Sequence, residues 1–295
     1  MRMATDWFRE RAARFRERQS RLPSDLWVKC PKCLEAVLKS ELRQTQKVCP
    51  KCDHHMALTA QERLEITLDP GTWRPFGGLA QTADPLSFPE YREKLQSSEE
   101  KSGLDEAFIP GEGAIEGEPV AVGVVEFGFM GGSMASAFGE RFVRMIEYAA
   151  EKKLVAITFA ASGGARMQEG VLSLMQMAKT AGAIAALEDK PTLYVSVITD
   201  PTFAGVFASF VSLGDVIISE PRARVGFAGD RPIEQNLKVK LSPHIHTAEF
   251  QQEHGMIDLV LPRTQIRPAL ARLCKIWSAE RNSLAGSGAE AHPNA

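Results

Sequence analysis

The 295-residue chain has no surplus of either charge, with 35 Lys and Arg against 37 Asp and Glu and a formal net charge of -2. That balance excludes a protein that binds nucleic acid over its whole surface. No apolar run is both long and uncharged enough to cross a bilayer. The arginines near the start, Arg2, Arg9, Arg11, Arg14, Arg16 and Arg18, are interrupted by Asp6, Glu10 and Glu17 and have no apolar core behind them, so the segment reads as an exposed amphipathic helix and not a signal. No GxGxxG turn follows the first strand of the body and no GxxxxGK[ST] loop is present, which removes the grounds for a dinucleotide fold or a P-loop. Ser162 lies in Ala160-Ala161-Ser162-Gly163-Gly164, which is not a GxSxG elbow, and no His/Asp pair can be assigned to it; its hydroxyl is expected to brace a turn. What is left is an enzyme-sized chain expected in the cytoplasm, with few titratable candidates for catalysis.

Cysteine is scarce too, at five, but four of the five are spaced for metal. Cys30-Pro31-Lys32-Cys33 and Cys49-Pro50-Lys51-Cys52 are two CxxC knuckles with fifteen residues between them, the spacing of a four-thiolate zinc site. Two disulfides are the competing reading, and a reducing compartment disfavours them. Four thiolates close the coordination sphere, so a single zinc here is structural, and a module of this size depends on it to fold. His54 and His55 are expected outside the ligand set, and Cys274 as a small core residue. Lys29, Lys32, Lys39, Arg43, Lys47 and Lys51 make the ribbon mildly basic, which suits nucleic acid or a ligand carrying phosphates.

The body shows strand and helix patterns in alternation. Val120 to Phe127, Val155 to Ala160, Leu193 to Ile198, Val216 to Ser219, Val225 to Ala228 and Ile257 to Leu261 read as strands. Pro89 to Lys101, Glu140 to Lys153, Met167 to Lys179 and Arg263 to Glu280 read as helices. The expected organisation is a charged arm (1–27), a zinc ribbon (28–54), one α/β domain (55–280) and a disordered tail (281–295). Two loops within the body carry the chemical signal. The first holds Gly163, Gly164 and Arg166 between an apolar run and a helix; the second, Thr199-Asp200-Pro201-Thr202-Phe203-Ala204-Gly205, repeats that arrangement. Glycines there either permit tight turns or expose N–H groups to a ligand. Such donors suit a thioester enolate, whose charge gathers on the carbonyl oxygen. Asp200 and Thr202 are expected to cap the next helix. Arg166 either grips a phosphate or carboxylate or pairs with a residue such as Glu169.

The two knuckles, Phe127-Gly128-Phe129-Met130-Gly131-Gly132-Ser133-Met134, the SGGARMQE loop with its SLMQMAKT helix, the TDPT loop and Gly226-Phe227-Ala228-Gly229 occur in this order. Over about residues 26 to 280 the chain thereby resembles the β subunits of bacterial acetyl-CoA carboxylase carboxyltransferases. The resemblance implies a crotonase-like (ClpP/crotonase) spiral of ββα units with an N-terminal four-cysteine zinc ribbon. It implies transfer of a carboxyl group from carboxybiotin, borne by a biotin carboxyl carrier protein, to acetyl-CoA, giving malonyl-CoA for fatty acid biosynthesis. It further implies an α2β2 assembly with a carboxyltransferase α subunit, and biotin carboxylase in the larger complex. By the same resemblance Ala204 and Gly205 would be the oxyanion donors, where the family usually has two glycines, with Phe203 and Phe207 narrowing the acyl pocket. Gly163, Gly164 and Arg166 would line the CoA channel, and Gly131, Gly132 and Ser133 a neighbouring loop; Asp230 receives no role. Three other readings stay open: a sibling biotin-dependent acyl-CoA carboxyltransferase or decarboxylase, a zinc-ribbon regulatory protein that binds nucleic acid, and a subunit that only stabilises a catalytic partner.

Overall fold

Small cores need outside help to fold, and the amino-terminal part of this chain has a very small one. The computed structural model describes residues 26–228, 238 and 244–287. Contacts divide the chain into two compact units, with the boundary between Ala57 and Leu58. In the first unit β1 (Trp27–Lys29) and β2 (Ala36–Leu38) pair antiparallel and α1 (Lys39–Gln44) follows. Its core is Cys30, Val37, Leu42, Cys49 and Met56.

The two knuckles of this unit have one geometry. The N–H of Leu34 donates to Cys30 O and that of Asp53 to Cys49 O, each over 2.9 Å, and both residues take positive φ, 64° and 54°. The four sulfurs lie within 4.8 Å of one another. Cys30 and Cys52 are 3.7 Å apart and Cys33 and Cys49 3.8 Å. A tetrahedron built on Zn–S bonds of about 2.3 Å has edges of about 3.8 Å, so the donor set fits zinc. These separations are far beyond an S–S bond of about 2.05 Å. Burial alone would raise the Cys30 thiol, but the backbone N–H groups of Cys33 and Lys32 and the neighbouring sulfurs bring it down to about 7, whereas burial and the neighbouring sulfurs push the Cys33 and Cys52 thiols up, so the four ionise together only around a cation. His54 and His55 contribute backbone groups, His54 O accepting from Cys49 N and His55 bridging to Val48.

The second unit is organised by period-two alternation in three buried strands. Its elements are α2 (Ala60–Thr67), β3 (Arg74–Pro75), α3 (Tyr91–Ser102), β4 (Phe108–Ile115), β5 (Glu118–Val125), α4 (Ser136–Lys152), β6 (Val155–Ser162) and α5 (Val171–Ala185). They continue with β7 (Tyr194–Phe203), α6 (Ala204–Ser209), β8 (Val216–Ser219), β9 (Val225–Gly226), α7 (Ala248–Glu253), β10 (Leu259–Val260) and α8 (Arg263–Ser287). The sheet order is β10-β8-β7-β6-β5-β4-β3, with β9 paired to the end of β7. Pairing is parallel from β5 to β10 and antiparallel from β3 to β5. Ala121 and Val125, Ala156 and Ala160, Tyr194 and Ile198 face one core layer, packed on Phe138 and Phe142 of α4. The residues between them, Val122 and Val124, Ile157 and Phe159, Val195 and Val197, face the other layer with Leu64 of α2 and Ile266, Leu270 and Cys274 of α8. Both faces are therefore dry, as parallel strands require.

Most element expectations agree in place, with a difference at the carboxy-terminal helix. The helix expected over Arg263 to Glu280 runs on to Ser287, so the first seven residues of the expected tail are helical. The rest of that tail and the charged arm before Leu26 lie outside the described residues, as do Gly229 and Asp230.

On the α2/α8 side the second core layer contains one carboxylate held between two arginines. Glu220 accepts from Arg63 Nη2 at 2.7 Å and from Arg263 Nε and Nη2 at 2.8 and 2.7 Å, all three side chains being buried. Arg63 also lies 5.1 Å from the Phe159 ring centre. Burial and the neighbouring Arg263 lower the proton affinity of Arg63 while Glu220 opposes them, so the carboxylate is what makes the two charges tolerable. Glu220→Gln is expected to lower the unfolding free energy of the body by about 3 to 5 kcal/mol, seen as a fall in the urea midpoint. For the ribbon, atomic absorption should find a single zinc per chain and none in Cys49→Ser. Chelation should open residues 26–57 to protease while the body stays resistant; a ribbon that resists protease after losing its metal would contradict metal-dependent folding.

Candidate functional site

Parallel strands send their following loops out at one edge of the sheet, and β5, β6 and β7 do so here. The loop after β5 and the loop after β6 are joined like strands. Gly163 N donates to Gly131 O at 3.0 Å, Met134 N to Gly164 O at 2.8 Å and Arg166 N to Met134 O at 2.9 Å. The end of β7 adds a third segment. Thr202 pairs with Ser162 and with Val225, and its hydroxyl donates to Ala160 O at 3.0 Å and Thr199 O at 2.8 Å.

Two glycines make this convergence possible. At Gly132 (φ 64°) a Cβ would sit 2.0 Å from Ala161 O, and at Gly164 (φ 122°) it would sit 2.8 Å from the Ala204 Cβ. Ala204 itself holds φ 54°, a left-handed conformation that costs an alanine about 1 kcal/mol or more. It is the first residue of α6, and Gly205 the second. The residue that precedes the helix is Phe203, which makes no side-chain cap bond. Helix geometry gives the first N–H groups no intrahelical acceptor, so the start of α6 combines strained backbone with uncapped donors. The side of Gly205 is closed by Met177 of α5, whose sulfur would lie 2.7 Å from an added Cβ.

Several expected roles change on this geometry. Asp200 and Thr202 do not cap α6. Asp200 accepts from Arg224 N and Nε at 2.8 Å and Nη2 at 3.0 Å, and the Thr202 hydroxyl is spent on β6 and on Thr199. Gly163 and Gly164 are not bare donors: Gly163 N is bound to Gly131 O, and Gly164 N to Ser162 Oγ at 3.0 Å, the bracing role expected of that serine. Phe207 is buried in the core, while half-buried Phe203 meets His246 edge-on at 5.8 Å.

Arg166 is the largest correction. Its side chain is 0% exposed, so it lines no open channel here, and its partner is Glu106 and not Glu169. Its guanidinium also donates to Ser133 Oγ at 3.1 Å and Ser133 O at 2.8 Å and lies 5.4 Å from the Phe129 ring centre. Burial would lower its proton affinity, but Glu106 and Tyr91 raise it, and the side chain stays charged. Glu169 instead accepts from Tyr91 Oη at 2.9 Å and from Ser136 N and Oγ at 2.7 and 2.6 Å, where it closes the start of α4. Burial, above all, pushes the Tyr91 phenol well up, so it is a donor at every physiological pH. Glu106, Tyr91 and Thr82, which donates to Glu106, carried no sequence signal because their partners are far along the chain. Gly131, Gly132 and Ser133 do come together with Gly163, Gly164 and Ala204, whereas the four thiols form the centre of the other unit.

The chain matches the acetyl-CoA carboxylase zinc finger domain over residues 27–52 and the carboxyl transferase domain over residues 55–257. It is 50% identical over 255 residues to the acetyl-coenzyme A carboxylase carboxyl transferase subunit beta of Desulforamulus reducens, covering 86% of this chain and 88% of that one. The subunit of the same name from a Synechococcus species is 47% identical over 254 residues, covering 85% and 87%. Among solved structures, transcarboxylase 12S superposes with a TM-score of 0.63 at 22% identity over 79% of this chain and 42% of that one. The Pseudomonas malonate decarboxylase hetero-dimer gives 0.59 at 23% identity, over 74% and 86%. These two likenesses speak for the fold, a crotonase-like α/β body of the carboxyltransferase type. With its four-thiol ribbon and its carboxyl transferase domain, the chain belongs to the family of acetyl-CoA carboxylase carboxyltransferase β subunits.

Proposed function

We propose that this chain holds the acyl-CoA half of the carboxyltransferase site, where acetyl-CoA receives a carboxyl group from carboxybiotin on a biotin carboxyl carrier protein and becomes malonyl-CoA. The observation that carries the reading is the start of α6, where Ala204 and Gly205 offer N–H groups that neither the helix nor a capping side chain takes up. Carboxybiotin, when bound, would supply carbon dioxide, and the biotin anion left behind would take the methyl proton. The chain's own task is to hold the thioester oxygen while charge gathers on it, and two fixed donors do this without reorganising. Ala204 serves as well as glycine because the donor is backbone N–H, and its strained φ is backed by the space Gly164 leaves. Gly131, Gly132, Ser133, Gly163 and Gly164 form the wall along which the CoA portion would run, and Arg166 fixes that wall from behind.

The reading extends to the parts around the site. The four thiolates hold a structural zinc, and the chain works in the cytoplasm with a carboxyltransferase α subunit, as α2β2, and with biotin carboxylase in the larger complex. The body corresponds to residues 55–280 and the ribbon to 28–54. Among the described residues no helix is long and apolar enough to cross a membrane.

The first experiment is decarboxylation of malonyl-CoA with a free biotin derivative as acceptor, for this chain alone and mixed with its cognate α subunit. Turnover is expected only in the mixture. A zinc-loaded, assembled and inactive mixture would shift the assignment to a sibling acyl-CoA substrate, and salt-sensitive RNA binding without turnover would shift it to a regulatory ribbon. Within the active mixture, Gly205→Pro should cost roughly 10²- to 10³-fold in kcat, the loss associated with one oxyanion donor. Gly205→Ala puts the same first carbon against Met177 while keeping the N–H, so it should lose far less. Equal losses in both variants would mean that packing, and not the donor, was being read.

A further inference from the structure

A backbone donor needs no side chain, yet the first of the pair at the start of α6 carries one. Left-handed backbone favours glycine, and in the converging loops only Met130 (φ 49°) and Ala204 (φ 54°) hold it with a side chain present. A glycine at position 204 would offer the same N–H without the strain. Strain kept at a functional site points to a role for the group that causes it, and here that group is the Ala204 methyl.

The methyl has a definite place. Along the wall formed by the two glycine loops, a carbon added at Gly131 would meet nothing within 4 Å, and one added at Gly163 would meet only Gly131 O, at 3.7 Å. A carbon added at Gly164 would come within 2.8 Å of the Ala204 Cβ. The wall is thus open at Gly131 and Gly163 and closed at Gly164, where it reaches the donors, by one methyl. On the other side of the pair the space is filled: a carbon on Gly205 would lie 2.7 Å from Met177 Sδ and 3.8 Å from Met134 Cε. Gly205 is buried and Ala204 only half-buried, so of the two it is Ala204 that borders the cleft. An acyl group led in along Gly131 and Gly163 and held by the N–H pair meets this methyl. A Cβ fixed to the backbone has no rotamer to turn aside, whereas an unbranched methionine side chain yields easily.

We propose that the Ala204 methyl sets the size of the acyl group: it fills the place that a second carbon on the reacting atom would take, so that the site accepts an acetyl thioester and rejects the propionyl and longer ones. This inference rests on the function proposed above, to which it adds the residue that selects the substrate, and the test separates the two. The full chain is mixed with its cognate α subunit, and kcat/KM is measured for decarboxylation of malonyl-CoA and of methylmalonyl-CoA, which differs by one methyl on the reacting carbon, with a free biotin derivative as acceptor. The ratio of the two is the readout, since Ala204 also supplies a donor and its replacement alters both rates. One methylene in an apolar pocket discriminates by roughly 10- to 200-fold, so Ala204→Gly should raise the methylmalonyl-to-malonyl ratio by about ten-fold or more. Ala204→Ser keeps the Cβ, and its ratio should stay at or below that of the parent. Ala204→Gly should also hold the thermal midpoint of the parent, because it removes a left-handed alanine. An unchanged ratio in Ala204→Gly, an equal rise in Ala204→Ser, or a rise that comes with a lowered midpoint would overturn the size gate while leaving the function intact. A parent mixture that prefers methylmalonyl-CoA would overturn the gate and move the function to a sibling acyl-CoA, and one that turns over neither thioester would overturn the function on which the gate rests.

Discussion

The buried pair between Arg166 and Glu106 is the contact on which the site depends. Two charges removed from water are tolerable only when each finds enough partners, and removing one partner of such a pair typically costs about 3 to 5 kcal/mol. Here the partners are supplied by four segments: the Ser133 hydroxyl and carbonyl after β5, Arg166 itself after β6, Thr82 before α3, and Tyr91 at the start of α3. Tyr91 passes the network on to Glu169, which closes the start of α4. No member can move without leaving another unpaired in a low-dielectric interior. The two glycine loops in front of this network are thus held in place from behind.

Rigidity of that kind is what backbone catalysis requires. A donor that must reorient when charge develops gives back part of its stabilisation, whereas one fixed beforehand does not. The cost is visible at Ala204, an alanine in left-handed backbone, and at α6, a helix begun without a cap. Both are locally unfavourable, by about 1 kcal/mol each. Both persist because Thr202 is bound to β6 and Val225 on either side and because Gly164 yields its Cβ space to Ala204. Stability lent by the ion-pair network and the sheet offsets the strain at the start of α6.

Much of this was legible in the sequence because it is local. The spacing of Cys30, Cys33, Cys49 and Cys52 states its tetrahedron, and the apolar runs at Val155 and Leu193 state their strands. Gly164 and Gly205 mark two loops that meet in the fold. The roles of polar side chains were less legible, since each is decided by a distant partner. Asp200 looks like a cap until Arg224 arrives from β9's approach, and Arg166 looks like a ligand-binding residue until Glu106 is folded over it. The polar residues of α5 point the same way. Periodicity shows that a helix has an apolar face but does not tell which face the fold takes inside.

That last ambiguity has a physical resolution in the subunit itself. Ser173 and Thr180 are buried at little cost because each hydroxyl is answered within one turn of its own helix, whereas Gln176 bonds only through its amide nitrogen and its Oε1 is buried without a hydrogen-bond partner in the room left at Gly139. The apolar side of the helix is left outside, where Val171, Leu174 and Met175 keep apolar area in water. Met177 of the same helix packs against Gly205, so the helix that turns apolar side chains outward also borders the start of α6.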